Sequence, residues 1–352
     1  MIKNITGEKD FIEYLRGKSA TFLLALSNTD TINIDGITQA GVKGYIYLTP
    51  TLDAEFVTLG DIRSLDDIPK TGRGVPTPAL MTRAVHTLKP FNEIEILDLG
   101  LRVSPDVKYF RKYNFNMTPS GSIDIGADID AEDIFKKGLE FGQSYNPKSD
   151  YIILAESVPA GTTTAYATAK ALGYSVDGLF SSSFRDAPTI KEKTINRAIE
   201  NIDLGSDIFE ILGAVSDNML IFNAGFILGL NGRVPLILAG GTQMVGVLLI
   251  VNRVLDYMGG EIDSSNLALA TTKWVAEDES SNIEALIEML NFQINSYYID
   301  FDFSSSKNGL LKLYDNGEAK EGVGAGASLL YGILNGLTKE NIIAKVEDFL
   351  IH

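Results

Sequence analysis

The chain has 352 residues, of which 45% are hydrophobic and 22% charged, a composition typical of soluble globular proteins and long enough for one large domain or two modest ones. The formal net charge of −16 argues against a nucleic-acid backbone or an anionic membrane as the main partner. The lack of cysteine excludes disulfides, a thiolate nucleophile and cysteine metal sites. The chain has only two histidines, His86 and His352, so a histidine-rich metal site is not expected.

The N-terminal segment MIKNITGEKDFIEYL carries charges where a signal peptide needs an apolar core. The longest apolar stretches fall well short of the ~20 residues that a membrane span requires. The sequence therefore predicts a cytoplasmic protein that has neither a membrane nor a nucleic acid as its partner.

Short apolar runs occur along the whole chain. They are too short for helices, and most lack an alternation of apolar and polar residues, as expected of strands that are covered on both faces. The predicted strands are residues 21–26, 44–48, 93–99, 151–155, 234–239 and 297–303.

Helical patterns lie between these runs. Residues 130–142 form one, and residues 280–290 form another, in which Ser281 and Glu284 are spaced as a capping box. In residues 338–350 one face is apolar, made of Ile342, Ile343, Val346, Phe349 and Leu350. Strands that alternate with helices predict an α/β fold, with a mainly parallel sheet and helices on both faces in a Rossmann-like, three-layer arrangement.

The domain organisation is predicted to be simple, because no linker, low-complexity segment or internal repeat interrupts the sequence. We expect a single domain over residues 1–352, with a small helical subdomain built from the two termini. Residues 114–127 are poorer in apolar runs and form either a long surface loop or a subdomain boundary.

The first candidate site follows the predicted strand 151–155. The strand ends in Glu156, and the chain turns through Pro159 and Gly161 into a helix that begins with Thr162, Thr163 and Thr164. Free N–H groups at such a helix start can bind an anion, although a capped strand-to-helix turn explains the pattern equally well. No lysine follows the glycine, so this is not a Walker A loop. A carboxylate such as Glu156 that faces a crevice at a strand end is costly unless it has a partner or a task.

A pair of glycines, Gly240 and Gly241, opens another helix after the predicted strand 234–239. Glycines at this position allow close backbone approach to a ligand, but they also serve tight packing. We weigh packing more heavily on this segment alone.

The third candidate is the stretch EGVGAGASLLYG, in which Glu321 precedes Gly322, Gly324 and Gly326. Residues 310–321 predict a strand, an Asn316-Gly317 turn and a short return, followed by a helix of small residues. The spacing differs from the dinucleotide fingerprint G-x-G-x-x-G. By spacing alone, glycines that pack a helix tightly on the sheet are slightly favoured over a phosphate site.

Three segments together carry a resemblance: ESVPAGTTTA, SDNMLIFNAGFILGLNGRVPLILAGGTQM and KEGVGAGAS. They resemble the motifs of the nicotinate-nucleotide:dimethylbenzimidazole phosphoribosyltransferase family, most closely those of its archaeal branch. The stretches FSSSFRDAP at 180–188 and GVPTPALMTRA at 74–84 also fit that branch. The resemblance extends over most of the chain.

The resemblance implies a phosphoribosyl transfer from nicotinate mononucleotide onto a benzimidazole-type base, with inversion at the anomeric carbon and release of nicotinate, in the assembly of the cobamide lower ligand. Glu321 occupies the place of the catalytic base, and Glu156 matches a second glutamate of the family. No metal or redox cofactor is required. The partners are then the two small-molecule substrates and a second copy of the chain, as a homodimer.

The resemblance also assigns substrate contacts. Lys191 matches a lysine that reaches the substrate, although Lys193 is an equal candidate. This chain has VPAGTTT at the position where the bacterial enzymes have a glycine-rich turn that contains an asparagine. The difference puts in question which acceptor base is used and how the phosphate is bound. The implied substrate-binding residues are Gly161, Thr162, Thr163, Lys191, Gly240, Gly241, Gly322 and Gly324.

Other chemistry-bearing residues are expected to be structural. Asp217 stands where a helix N-cap is needed, and we favour the cap over an active-site acid. His86 lies in a helical pattern, and Trp274 follows a predicted strand as a core residue. Two further hypotheses remain: a non-catalytic relative that binds a nucleotide or an azole as a sensor or carrier, and an enzyme of the same fold with another acceptor or phosphoribosyl donor.

Overall fold

The computed structural model of the chain describes residues 1–65, 70–181 and 188–351. Within these ranges eight strands form one sheet in the order β1-β8-β7-β6-β5-β2-β3-β4. Neighbouring strands are parallel except for β1 and β8, which pair antiparallel. The strands are β1 (Ile2–Thr6), β2 (Ala20–Leu26), β3 (Glu93–Asp98), β4 (Arg111–Asn114), β5 (Tyr151–Ser157), β6 (Leu236–Ala239), β7 (Leu267–Thr272) and β8 (Asn295–Ile299).

The described helices alternate with these strands, and three short 3₁₀ turns cover Asp30–Asn33, Ile46–Leu48 and Leu311–Leu313. The helices are α1 (Asp10–Leu15), α2 (Thr49–Leu59), α3 (Ala79–Leu88), α4 (Ala131–Ser144), α5 (Gly161–Ala171), α6 (Pro188–Glu200), α7 (Ile208–Val215), α8 (Asn218–Leu230), α9 (Thr242–Met258), α10 (Lys273–Ala276), α11 (Ile283–Ile287), α12 (Ala325–Leu334) and α13 (Lys339–Asp348).

Successive side chains of each central strand enter two separate cores, because side chains alternate across a sheet. Leu24 and Ile153 pack with α2, α3, α12 and α13 on one face. Leu23 and Leu154 pack with α4, α5, α8 and α9 on the other face. The expected three-layer α/β architecture with a mainly parallel sheet is therefore confirmed, whereas the assignment of one domain stays a prediction.

Most of the predicted strands are confirmed, and one is wrong. Residues 21–26, 93–99, 151–155 and 234–239 all correspond to strands, and the run 297–303 contributes only its first residues to β8. Residues 44–48 do not form a strand: a 3₁₀ turn over Ile46–Leu48 leads directly into α2. Pro50 lies in the first turn of that helix, where its fixed φ favours helix initiation.

The helices predicted over 130–142 and 338–350 hold in position, whereas only Ile283–Ile287 of the predicted helix 280–290 is helical. Asp130 caps α4 as its side chain accepts from the Asp133 N–H. Ile342, Ile343 and Val346 of the apolar face of α13 are buried as expected, while Phe349 and Leu350 follow the helix and are partly buried. The predicted capping box of Ser281 and Glu284 is wrong, because Asn282 caps α11 by accepting from the Ala285 N–H at 3.0 Å. The strand expected within residues 310–321 is also wrong, since a 3₁₀ turn stands there.

Residues 115–130 form an irregular segment between β4 and α4, and an isolated bridge joins Ser120 to Thr29. Ile123 and Ala127 are fully buried within this segment. The segment is thus a loop with an anchored interior. Among the described residues, no helix has the length and hydropathy needed to cross a bilayer.

Candidate functional site

A cavity of about 210 Å³ lies at the carboxyl ends of the central strands. Its walls include the residues that follow β5 and β6, part of α2 and the segment before α12. Chain order along the sheet reverses between β2 and β5, and ligands of open parallel sheets bind at such a switch point. The topology therefore makes this cavity the first candidate for a functional site.

Glu321 borders the cavity and has both carboxylate oxygens fixed by the backbone. Oε2 accepts from the Thr272 N–H at 2.8 Å, and Oε1 accepts from the Gly326 and Gly322 N–H groups at 3.1 and 3.2 Å. Burial raises the pKa of this carboxyl to about 7, against the opposing effect of these hydrogen bonds. A group with this pKa can exchange a proton near neutral pH.

Glycine is required where the chain folds around this carboxylate. A Cβ on Gly326 would lie 2.4 Å from the backbone carbonyl carbon of Thr271 on β7 and 2.8 Å from Oε2 of Glu321, closer than real contacts allow. Gly322 has φ 141°, a conformation that side chains rarely adopt. The glycines after Glu321 thus let the start of α12 wrap around its side chain.

Glu156, the second predicted acid, ends β5 and is 6% exposed. Its Oε2 accepts from the Val158 N–H at 3.1 Å and from Nε2 of Gln243 at 3.2 Å. Burial, together with the negative charges of Glu321 and Asp217, raises the pKa of Glu156 to about 8. The carboxyl is therefore mainly protonated at neutral pH.

A third acid, Asp53 on α2, also borders the cavity. Its oxygens accept from Oγ1 of Thr77 at 2.8 Å and from Oγ of Ser157 at 2.7 Å. Burial raises the pKa of Asp53 to about 6. Sequence reasoning missed this residue, although two acids, Asp53 and Glu55, within the mainly apolar and hydroxyl-bearing run TPTLDAEF were a usable signal.

Three lysines border the cavity, namely Lys70, Lys191 and Lys320. Lys191 lines it, whereas the alternative candidate Lys193 is exposed. Burial and the charge of Lys320 lower the pKa of Lys191 to about 8. Lys320, which sequence reasoning also missed, forms an ion pair with Asp278 at 2.5 Å.

The predicted substrate-binding residues divide into two groups. Gly240 and Gly324 lie outside the cavity lining and serve packing: Cβ atoms there would meet Cγ of Met244 at 2.5 Å and Cβ of Ala155 at 2.7 Å. The remaining glycines and threonines do line the cavity, namely Gly161, Thr162, Thr163, Gly241 and Gly322.

The residues that we expected to be structural are structural. Asp217 caps α8 by accepting from the Leu220 N–H at 3.0 Å. His86 accepts from the Phe91 N–H at 3.1 Å, and burial lowers its pKa to about 4. Trp274 is largely buried and donates from Nε1 to Asp315 at 3.0 Å.

Two further stretches carried the resemblance. Within GVPTPALMTRA, residues 75–78 line the cavity. Of FSSSFRDAP, residues 182–187 lie outside the described residues. No group of histidine, aspartate and glutamate side chains in the described part of the chain has the arrangement needed to hold a metal ion.

Known proteins resemble this chain in sequence along nearly its whole length. No protein-family model matches the chain. It is 35% identical over 357 residues to a UPF0284 protein from Methanothermobacter thermautotrophicus, with 98% of this chain and 96% of the relative covered. A UPF0284 protein from Sulfurisphaera tokodaii is 34% identical over 352 residues, with 99% and 96% covered.

Two solved structures from Thermus thermophilus share the fold. One is a nicotinate-nucleotide-dimethylbenzimidazole phosphoribosyltransferase, with a TM-score of 0.60, 15% identity, and 94% of this chain and 83% of that chain covered. The other is CobT, with a TM-score of 0.58, 15% identity, and 94% and 84% covered. At this identity the likeness establishes a common fold.

Proposed function

This chain belongs to the UPF0284 family of archaeal proteins, and we propose that it is a phosphoribosyltransferase. It would move the phosphoribosyl group of nicotinate mononucleotide onto a benzimidazole-type base in cobamide lower-ligand assembly. The observation that carries the proposal is Glu321, an acid with a pKa of about 7 that the backbone fixes in a cavity at the strand ends. The shared fold of the Thermus enzymes supports it.

The acceptor chemistry matches Glu321. A neutral azole bonds to the sugar through one ring nitrogen and must lose the proton from the other. That proton passes to the Glu321 carboxylate as the new C1′–N bond forms. The bond between C1′ and the pyridine nitrogen breaks, and nicotinate leaves with the electron pair. Attack by the azole on the opposite face of C1′ inverts the anomeric carbon.

The charges around the cavity match the donor. Nicotinate mononucleotide carries a cationic ring at C1′ and an anionic phosphate at the other end of its ribose. Asp53 and the ionised form of Glu321 supply negative charge for the cationic ring and for an oxocarbenium-like transition state, and a bound cation favours ionisation of Glu156 as well. Lys191, Lys320 and the N-terminal turn of α5 are suited to the phosphate.

The decisive experiment supplies the purified protein with nicotinate mononucleotide and a panel of benzimidazoles, and measures nicotinate and riboside phosphate together. We expect turnover that falls as pH drops below about 7, where Glu321 becomes protonated. Glu321→Gln should lower turnover by roughly 10²–10⁴ fold, the range for a lost general base, with folding intact.

Glu318→Gln is the matched control, because Glu318 lines the same cavity but forms an ion pair with Arg73 at 2.5 Å. It should retain turnover within about threefold. Binding without nicotinate release across the panel would instead identify a sensor or carrier. Unimpaired turnover in Glu321→Gln would remove Glu321 from the mechanism.

The oligomeric state and location belong to the same proposal. We expect a homodimer in the cytoplasm. Analytical ultracentrifugation of the purified chain measures its oligomeric state directly. A monomer at micromolar concentration would contradict the homodimer and leave the proposed chemistry standing.

A further inference from the structure

Helix α2 carries two acids that are both closed off from solvent. Its residues from Thr49 to Thr58 are all buried, and Asp53 and Glu55 are 2% and 0% exposed. Burial of a carboxylate is costly unless hydrogen bonds or opposite charges compensate it. The two residues therefore allow a direct comparison of how one helix accommodates an acid.

Glu55 is fully compensated. It accepts from the N–H groups of Arg63 at 2.8 Å, Ser64 at 3.0 Å and Asp106 at 3.1 Å, and from Oγ of Ser64 at 2.6 Å. Burial alone would raise the pKa of Glu55, but these hydrogen bonds outweigh it and lower the pKa. This pattern is that of an acid that fixes the loop after α2.

Asp53 lacks this compensation. Among the described residues, its donors are two neutral hydroxyls, those of Thr77 and Ser157, and it receives neither a backbone N–H nor a cation. It also borders the cavity, which Glu55 does not. An acid that only stabilised the fold would be expected to resemble Glu55.

We propose that Asp53 is a positioning residue of the site, one that joins Ser157, beside Glu156, to Thr77 of the facing wall and adds negative charge where the transferred sugar becomes cationic. The inference rests on the proposed function. Ser157 is the last residue of β5 and directly follows Glu156, while Thr77 lies in the segment 75–78 that forms the cavity wall. Asp53 thus sets the distance between the strand end and that wall.

The charge of Asp53 also acts on Glu156. The groups that face Glu156 are Glu321 before α12, Asp217 at the start of α8, and Asp53 on α2, together with the amide of Gln243 on α9. All three acids raise its pKa. Removal of the Asp53 charge should therefore let Glu156 ionise at lower pH.

The test compares Asp53→Asn with Glu55→Gln and the wild type. Three properties are measured: nicotinate release at varied azole concentration, the titration of the Glu156 carboxyl by ¹³C NMR, and the thermal midpoint. The Glu156 signal is assigned by its loss in Glu156→Gln. In Asp53→Asn one of the two hydroxyls, of Thr77 and Ser157, can still donate to the amide oxygen while the other accepts from the amide nitrogen, so that the variant should fold.

For Asp53→Asn we expect kcat to fall roughly tenfold or more with little change in KM for the azole, and Glu156 to titrate at lower pH, with no loss in Tm. Glu55→Gln should lower Tm and leave the Glu156 titration unchanged. An unmoved Glu156 titration or an unchanged kcat in Asp53→Asn would overturn the proposal. If the wild type releases no nicotinate, the proposed function fails, whereas the NMR titration still decides whether Asp53 acts on Glu156.

Discussion

Glu156→Gln should make the protein more stable at alkaline pH. The perturbation is nearly isosteric, because Oε2 of Glu156 accepts both of its hydrogen bonds, from Val158 and Gln243, and a glutamine oxygen can take the same place. The other oxygen, Oε1, receives no hydrogen bond from the described residues, so that an amide nitrogen can replace it without losing a bond.

The magnitude follows from proton linkage. The pKa of Glu156 is about 8 in the folded protein, against an ordinary value of 4.5. Between these two values the unfolded carboxyl is ionised while the folded one keeps its proton, so stability falls as pH rises. Each pH unit corresponds to about 1.4 kcal/mol, which sets an upper bound of about 5 kcal/mol for the loss at pH 8 and above.

Urea unfolding from pH 5 to pH 9 measures the effect. The free energy of unfolding of Glu156→Gln should exceed that of the wild type by an amount that grows with pH and levels off above about pH 8. A difference between the two proteins that stays constant from pH 5 to pH 9 would refute the reasoning, since it would mean that Glu156 ionises alike in the folded and unfolded chains.

Glu55→Gln is a control with the opposite sign. Because the pKa of Glu55 is lowered, its ionised form stabilises the fold above the unfolded pKa, and that contribution is lost as pH falls. Glu55→Gln should therefore destabilise the protein at pH 7 to 9, with a deficit that shrinks towards acidic pH. If both variants shifted in the same direction, a general effect on the denatured state would be responsible.

Two further predictions concern the lysines and the helix packing. Lys191→Ala should raise KM for nicotinate mononucleotide roughly tenfold through the loss of a charged hydrogen bond. Lys193→Ala, at an exposed position, should change that KM less than about twofold. Equal effects of the two variants would contradict the assignment of Lys191 to the substrate. A Cβ on Gly225 of α8 would overlap the carbonyl oxygen of Phe135 on α4, so Gly225→Ala should lower the free energy of unfolding by roughly 1–3 kcal/mol. Gly309→Ala, in open space, should be nearly neutral, and a comparable loss there would contradict the packing argument.

The strands were predictable from the sequence because strands of a parallel sheet are covered on both faces and appear as apolar runs. The same rule failed at residues 44–48, since an apolar run of five residues has no periodicity to separate a strand from a helix start. Pro50, just beyond that run, is the local feature that favours the helix. The capping box failed similarly, because Ser281 donates to Asp278 instead of capping α11.

The site was predictable only in part. Glu156 follows from a motif at a strand end, where topology gathers ligand-binding residues. Glu321 was identified from the glycine motif that follows it, although the strand expected before it is absent. Asp53 and Lys320 join the cavity from segments whose sequences carry no strand-end position, so that their placement depends on tertiary packing. Gly240 and Gly324 were predicted to contact substrate but serve packing instead. The same glycine pattern that permits approach to a ligand also permits close packing of the chain.

The distribution of compensated and uncompensated acids supports a cationic ligand in this cavity. Asp278, which pairs with Lys320 and accepts from several serines, has its pKa lowered to about 2 despite partial burial. Glu156 and Glu321 have raised pKa values because burial outweighs their hydrogen bonds. The chain can thus compensate a buried acid with a cation or with hydrogen bonds, as it does for Asp278 and Glu55. A ligand with positive charge at its reacting carbon would stabilise the ionised forms of these buried acids. The same attraction would stabilise the bound ligand and the cationic transition state.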